Sequence, residues 1–109
     1  MLSIEVCKSD LEELRVLAVD GGEVVGSAFG GWVGSMVGLD TIQVDPPARG
    51  DGIGKMLVGA FVNLARSIGA NGVVGEVKPE FGLRVNEVRQ MYRDLGFRVG
   101  EDGTLEMNF

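Results

Sequence analysis

The apolar pattern of the chain first changes its period just after two adjacent prolines, Pro46 and Pro47. Upstream of them, short runs such as residues 14–20 and 24–29 are rich in β-branched residues and are separated by turn residues, as in antiparallel hairpins. Downstream, apolar residues within 53–68 recur at helical spacing. The prolines end the upstream strands, because proline cannot donate to a sheet ladder. We therefore expect hairpins first and a helix-containing unit second.

The whole pattern predicts the element order β-β-β-β-α-β-α-β-β. A strand, a helix and a strand in succession favour a parallel pair with a right-handed crossover, so we expect a mixed sheet with packed helices, of the α/β (α+β) class. The glycine-rich passage 30–38 lies between two predicted strands, and its boundaries stay open. The predicted strands are 2–7, 14–20, 24–29, 39–44, 72–77, 98–101 and 104–109, and the predicted helices are 53–68 and 85–95.

Length and composition fit a single domain, residues 1–109, whose apolar share of 45% supplies a core without a disulfide or metal staple. The one cysteine, Cys7, has no partner in the chain, and without histidine it cannot build a Cys/His zinc site, so we expect no metal. The missing histidine also excludes Ser-His-Asp and Cys-His catalysis. The sequence shows no signal-peptide pattern and no membrane-length apolar stretch, so we expect a reducing, cytoplasmic setting and no membrane contact.

The formal net charge of −6 argues against nucleic acid as a partner, because phosphate contacts dominate the affinity of proteins for nucleic acids. The same charge mildly suits a cationic small molecule or a protein amine. Polyamines, amino sugars and lysine side chains all fit this description, and the charge does not choose among them.

The stretch ARGDGIGK, residues 48–55, partly matches three motifs. A phosphate-binding P-loop would need glycine in place of Arg49 and a hydroxyl residue in place of Met56, so that interpretation fails. A dinucleotide-binding fingerprint would need its third glycine at Lys55, and the hairpins that precede the stretch are the wrong context. We interpret the Arg-Gly-Asp tripeptide as fortuitous.

In physical terms, this stretch is a glycine-rich turn between a strand and the N-terminus of a helix. Backbone N–H groups and the positive end of the helix dipole converge there, which favours a phosphate group. The side chains of Arg49 and Lys55 could add direct charge. The alternative is a plain strand–helix turn whose glycines serve only to adopt positive φ.

Two motifs in the same order give the chain a specific resemblance. Residues 49–54, RGDGIG, fit the pattern [Q/R]xxGx[G/A] of the GNAT N-acetyltransferases, and the longer segment 39–57 resembles that family's fourth strand, loop and third helix. Further along, VRQMYRDLGFRV at 88–99 is similar to the family's later helix, in which a tyrosine precedes Leu-Gly-Phe. The resemblance runs from about Val24 to Phe109 and implies a GNAT-like, mostly antiparallel central sheet.

The resemblance implies that acetyl-CoA is the acetyl-donor cosubstrate, with its pyrophosphate on the amides at the helix start. The pantetheine arm is implied to pair with the fourth strand, which splays from the next one and leaves a cleft. The family's cofactor-contacting asparagine is replaced here by Val85, and Asn86 follows one residue late, where it could instead cap the helix. The implied cofactor-binding residues are Ile42, Gln43, Val44, Arg49, Gly50, Asp51, Gly52, Ile53, Gly54, Lys55 and Asn86.

The resemblance also assigns catalytic roles. Tyr92, the only tyrosine, aligns with the family's proton donor to the leaving thiolate; its alternative role is that of a core aromatic residue. Asp40 and Glu76 are candidate bases by position, and the alternative for each is a solvated surface carboxylate. Asp40 shares strand parity with the apolar residues Ile42 and Val44, so a bulge or an edge position must decide whether its side chain points to the core or to solvent. An amine could also lose its proton to solvent.

The chain is short for this family, which usually has two helices between its first two strands. Only about KSDLEEL, residues 8–14, is available for them here. We therefore expect an open acceptor site, a site completed by a second copy in a homodimer, or a protein-chain acceptor. The leading hypothesis is an acetyl-CoA-dependent N-acetyltransferase, and the alternative is a non-catalytic GNAT-fold module that binds CoA or protein.

Overall fold

The computed structural model of the protein describes residues 1–8, 13–50, 52–78 and 83–109. The elements in chain order are β1 (Leu2–Lys8), β2 (Glu13–Asp20), β3 (Glu23–Val33), β4 (Met36–Val44), a 3-10 turn (Pro46–Ala48), α1 (Ile53–Ser67), β5 (Gly72–Glu76), α2 (Val85–Asp94), β6 (Arg98–Val99) and β7 (Thr104–Asn108).

These strands form one sheet in the order β1-β2-β3-β4-β5-β7-β6. The strands β4 and β5 are parallel and are connected through α1, and every other neighbouring pair is antiparallel. The predicted element order and the mixed, mostly antiparallel sheet are confirmed. Within the described ranges, neither helix is long and apolar enough to cross a membrane.

The glycine-rich passage 30–38 belongs to the sheet, which corrects the predicted ends of two strands. The strand β3 continues to Val33, a turn follows at Gly34, where φ is 62°, and β4 already begins at Met36. Glycine is needed inside these strands because they approach closely: a Cβ on Gly30 would overlap the carbonyl oxygen of Gly38. Such glycines lower strand propensity in the sequence although they are what lets the strands pair.

One face of the sheet is covered by helices. The buried face of α1, which includes Leu57 and Phe61, packs on alternate residues of the sheet such as Val16 and Ala28. The second helix lies beside α1 on the same face of the sheet. Leu95, directly after α2, shows this: its Cδ2 methyl carbon is 3.9 Å from the position that a Cβ on Gly59 of α1 would occupy. Burying these apolar faces against one another is the main driving force for the fold.

The opposite side of the sheet, which we call the open face, carries residues that alternate with the buried ones. It includes the cross-strand neighbours Arg15, Phe29 and Thr41, and further along Val74 and Glu106. In the described part of the chain no helix lies over it, and its side chains are partly or fully exposed. Only residues 9–12 separate β1 from β2, which is too short for two helices at about 1.5 Å of rise per residue. The predicted lack of those helices is confirmed.

The close approach of β3 and β4 generates a stability prediction. Gly30→Ala should lower the free energy of unfolding by about 3 kcal/mol or more, because the added methyl group overlaps backbone that cannot move without breaking the ladder. The measurement is the midpoint of urea unfolding.

Gly59→Ala in α1 is the matched control. The added Cβ there meets only a methyl carbon of Leu95 at 3.9 Å, an ordinary contact. Alanine is favoured over glycine in a helix by about 1 kcal/mol, so this variant should be as stable as the natural chain or more stable. Equal midpoints for the two variants would contradict the proposed close contact.

Candidate functional site

A cavity of about 230 Å³ lies where β4 ends and α1 begins. It contains most of the residues that the sequence assigned to a cofactor, but Ile42, Gln43 and Asn86 do not line it, and Asp51 lies outside the described residues. Ala48, Leu83 and Met91 complete its wall and were not predicted to bind a cofactor, because such apolar residues carry no signal that separates them from core. The lining residues are Val44, Ala48, Arg49, Gly50, Gly52, Ile53, Gly54, Lys55, Leu83 and Met91.

The backbone of this cavity suits an anion. Gly50 and Gly52 have φ values of 93° and 75°, a conformation that favours glycine, and Gly52 is the N-cap of α1. Among the described residues no side chain caps this helix end, and its first turn contains no acidic residue. The first amides of α1 and the positive end of its dipole therefore remain to bind negative charge. The positive φ values of Gly50 and Gly52 agree with both interpretations of the motif, and phosphate binding by this turn stays a prediction.

The side chain of Arg49 has a structural contact. Its Nε donates a hydrogen bond to the carbonyl oxygen of Val44 at 3.1 Å, which ties the turn back to the end of β4. Arg49 is also one of the residues that line the cavity. Lys55 is exposed at the same wall, in the first turn of α1. Both residues add positive charge beside the helix N-terminus.

The strands β4 and β5 separate beyond a short paired region. Their parallel pairing covers only Val37–Leu39 with Val73–Gly75, although β4 continues to Val44. The predicted splay is therefore present, and the segment of β4 implied to hold the pantetheine arm has no β5 partner. Gly75 is the last residue of β5 that pairs with β4, and it is not a bulge. A Cβ on Gly75 would be 3.2 Å from the carbonyl oxygen of Leu39, so glycine permits the two strands to approach closely just before they separate.

A β-bulge in β4 determines where Asp40 points. In the pairing with β3, Phe29 faces Thr41 and Gly30 faces Leu39, so Asp40 has no opposite residue. Leu39 is therefore buried on the helix side while Asp40 is exposed. Its Oδ1 atom lies 3.7 Å from the position that a Cβ on Gly38 would occupy, and Gly38 is on the open face, so the Asp40 carboxylate is on that face too. The bulge therefore explains why Asp40 points away from the core although its sequence parity matches that of Ile42 and Val44.

A second cavity, of about 560 Å³, lies on the open face around the splay, and we call it the cleft. It brings together the two predicted base candidates, Asp40 and Glu76. It also contains Lys78, which the sequence analysis missed: its Nζ donates a hydrogen bond to the backbone carbonyl oxygen of Asp40 at 3.2 Å. The lining residues are Val33, Gly38, Leu39, Asp40, Thr41, Val74, Gly75, Glu76, Lys78 and Thr104.

The hydroxyl of Thr104 is oriented by a neighbour outside the cleft. Its Oγ1 donates to Oδ1 of Asp102 at 2.8 Å, and its backbone N–H donates to the same oxygen at 3.1 Å. These hydrogen bonds hold the pKa of Asp102 below its usual value. Because its proton points to Asp102, the Thr104 oxygen faces the cleft as an acceptor.

Tyr92 lies in the core at 1% exposure, on the buried face of α2. Its ring packs edge-to-face against Phe97, with centroids 5.3 Å apart. It lines neither of the two cavities described above. The structure thus shows a packing role for the ring, and the proposed role of its hydroxyl stays a prediction.

Asn86 is exposed in the first turn of α2 and does not cap that helix. The N-cap residue is Arg84, and its backbone N–H donates to the Glu87 carboxylate at 3.1 Å. The alternative interpretation of Asn86 as a cap was wrong, because the helix begins at Val85. Within the described residues no cluster of three or more candidate ligand side chains could hold a metal ion.

Comparisons with known proteins give a consistent result. A family model described as an acetyltransferase (GNAT) domain matches residues 12–99. No curated protein matches the chain in sequence. Many solved structures are similar in fold, at low sequence identity.

Three such structures illustrate the similarity. The IAA acetyltransferase from Bacillus cereus ATCC 14579 has a TM-score of 0.79 at 19% identity, covering 100% of both chains. An acetyltransferase from Bacillus subtilis in complex with CoA has a TM-score of 0.78 at 15% identity, covering 100% of this chain and 99% of that one. The PaiA N-acetyltransferase from Thermoplasma acidophilum, also in complex with CoA, has a TM-score of 0.73 at 18% identity. In that case 90% of this chain is matched, but only 62% of the other.

The two cationic residues of the first cavity should differ in their effect on stability. Arg49→Ala removes the hydrogen bond to the carbonyl of Val44 and should lower the free energy of unfolding by about 1 kcal/mol. Lys55→Ala should change it by no more than about 0.5 kcal/mol, since that side chain is exposed. Urea unfolding of both variants measures the difference. An equal effect would show that the Arg49 contact does not stabilise the turn.

Proposed function

This chain belongs to the GNAT acetyltransferase family, and we propose that it is an N-acetyltransferase that moves an acetyl group from acetyl-CoA to a primary amine. One observation carries the proposal. A cavity whose helix N-terminus suits an anion, on the helix side, and a carboxylate-lined cleft on the open face both border β4 in or beyond the region where it separates from β5. A donor bound from one side and an acceptor bound from the other would meet at that separation.

The donor half of the proposal uses the backbone. The amides of Gly52, Ile53 and Gly54 suit the pyrophosphate of CoA, with the charges of Arg49 and Lys55 beside them. The pantetheine arm would run along residues 42–44 of β4, where β5 no longer pairs. Such an arm can form hydrogen bonds with a strand edge in the same manner as an added strand.

The acceptor half uses the cleft. Acetyl-CoA supplies a thioester whose carbonyl carbon the neutral amine attacks, so the C–N bond forms as the C–S bond breaks. Asp40 or Glu76 is proposed to take the proton that the amine nitrogen loses, directly or through water. The hydroxyl of Tyr92 is proposed to give a proton to the departing sulfur, and to regain one from solvent afterwards.

The second candidate is a module that binds CoA without turnover. The uncovered open face favours it, because none of the described helices lies there to enclose an acceptor. The two carboxylates in the cleft oppose it, since a module that only holds CoA on the helix side has no use for them. Acetyl-transfer assays separate the two candidates.

We expect acetyl-CoA to raise the melting temperature of the protein. At a concentration a hundredfold above its Kd, the ligand should stabilise the folded state by about 2.7 kcal/mol, which corresponds to roughly 10 °C for a domain of this size. Differential scanning fluorimetry measures the shift, and Lys55→Ala should reduce it at unchanged stability of the free protein. No shift at millimolar acetyl-CoA would overturn both candidate functions. A shift without release of free thiol from any amine in a broad panel would favour the binding module.

We expect Tyr92→Phe to lower the rate of thiol release by about a hundredfold, the usual contribution of a positioned proton donor. The ring and its contact with Phe97 are retained, so the thermal shift by acetyl-CoA should change little. Tyr92→Ala is the comparison variant, which should lose about 3 kcal/mol or more of stability because it empties the core. Unchanged turnover in Tyr92→Phe would show that the residue acts only through packing.

A further inference from the structure

The cleft has hydrogen-bond acceptors on one side and an ammonium group as a separate feature. Glu76 and Thr104 are directly opposite each other on β5 and β7, and both line the cleft. Glu76 is an acceptor when ionised, and the Thr104 oxygen can only accept because its proton is donated to Asp102. This side of the cleft therefore suits a donor group with positive charge, such as an ammonium ion.

The other group is the ammonium of Lys78. It is held at the cleft by its hydrogen bond to the carbonyl oxygen of Asp40, at 3.2 Å, which uses one of its three protons. Among the described residues no carboxylate lies within 4.0 Å of it, although Asp40 and Glu76 line the same cleft. The cleft therefore contains one ammonium and two carboxylates that form no direct ion pair among the described residues.

On these grounds we propose that the acceptor is a small amino acid, or another primary amine that carries a carboxylate. Its amine lies against Glu76 and Thr104, and its carboxylate pairs with Lys78. This inference rests on the proposed acetyltransferase function and narrows it to one substrate class. A volume of about 560 Å³ accommodates such a molecule. A polyamine would bring a second positive charge towards Lys78, and a lysine side chain in a protein offers no free carboxylate for it.

The test compares matched acceptors in a thiol-release assay with acetyl-CoA. Each common amino acid is assayed beside its amide and its decarboxylated amine. We expect the preferred amino acid to exceed its own amide by about tenfold or more in kcat/KM, the factor that a charge-assisted hydrogen bond gives.

Lys78→Gln is the diagnostic variant, because glutamine can still donate to the Asp40 carbonyl but carries no charge. It should lower kcat/KM for the amino acid about tenfold, mainly through KM, and leave the amide unaffected. Arg66→Gln, in the last turn of α1 on the helix side of the sheet and outside the cleft lining, removes the same charge and should change neither value. Binding gives a second readout: with CoA present, the amino acid should raise the melting temperature of the natural chain more than that of Lys78→Gln.

The outcomes are distinguishable. Amides or polyamines that react as well as the amino acids would overturn this inference and leave the acetyltransferase function intact. An equal loss for amino acid and amide in Lys78→Gln would also overturn it, since Lys78 would then only position Asp40. Failure of every amine, with or without a carboxylate, would count against the proposed function itself.

Discussion

The extra residue in β4 is the feature on which the geometry of both cavities depends. A strand alternates its side chains strictly, so an inserted residue moves everything beyond it to the other face. Here the insertion at Asp40 keeps Leu39 and Ile42 both in the core, and it turns one carboxylate to the open face. The pairing with β5 ends at the same place, after Leu39. Bulge and splay together convert one continuous strand into a wall shared by two sites.

The polarity of this wall follows from what lies at its two ends. At the C-terminal end of β4, the N-terminus of α1 brings amides and two cationic side chains together. On the open face near the bulge, carboxylates and hydroxyls predominate, with one ammonium among them. An overall charge of −6 is therefore compatible with an anionic donor, because the local field of a helix end and its neighbours outweighs a diffuse net charge.

Much of this architecture is readable from the sequence. The change of period predicts the order of elements, and the glycines before Ile53 predict the tight turn at the start of α1, because both depend on local chain geometry. The ends of β3 and β4 are not readable, since Gly30 disfavours a strand locally and is tolerated only through its partner across the ladder. The side chain of Lys78 gives no signal either: its position depends on a strand distant in sequence. Tyr92 is buried because its ring packs against Phe97. A helical pattern alone does not distinguish such a core tyrosine from a tyrosine that faces a ligand.

The uncovered open face has a consequence for the timing of the reaction. Among the described residues, no helix or loop closes over the cleft, so a ligand bound there would exchange with solvent without waiting for such a segment to move. In enzymes with lids, reopening often limits turnover. Under the proposed function, the described residues would impose no such delay on the acceptor side, and an acceptor held without enclosure would be bound weakly. Occupancy of the cleft, and hence the rate, would follow the acceptor concentration almost in proportion over a wide range.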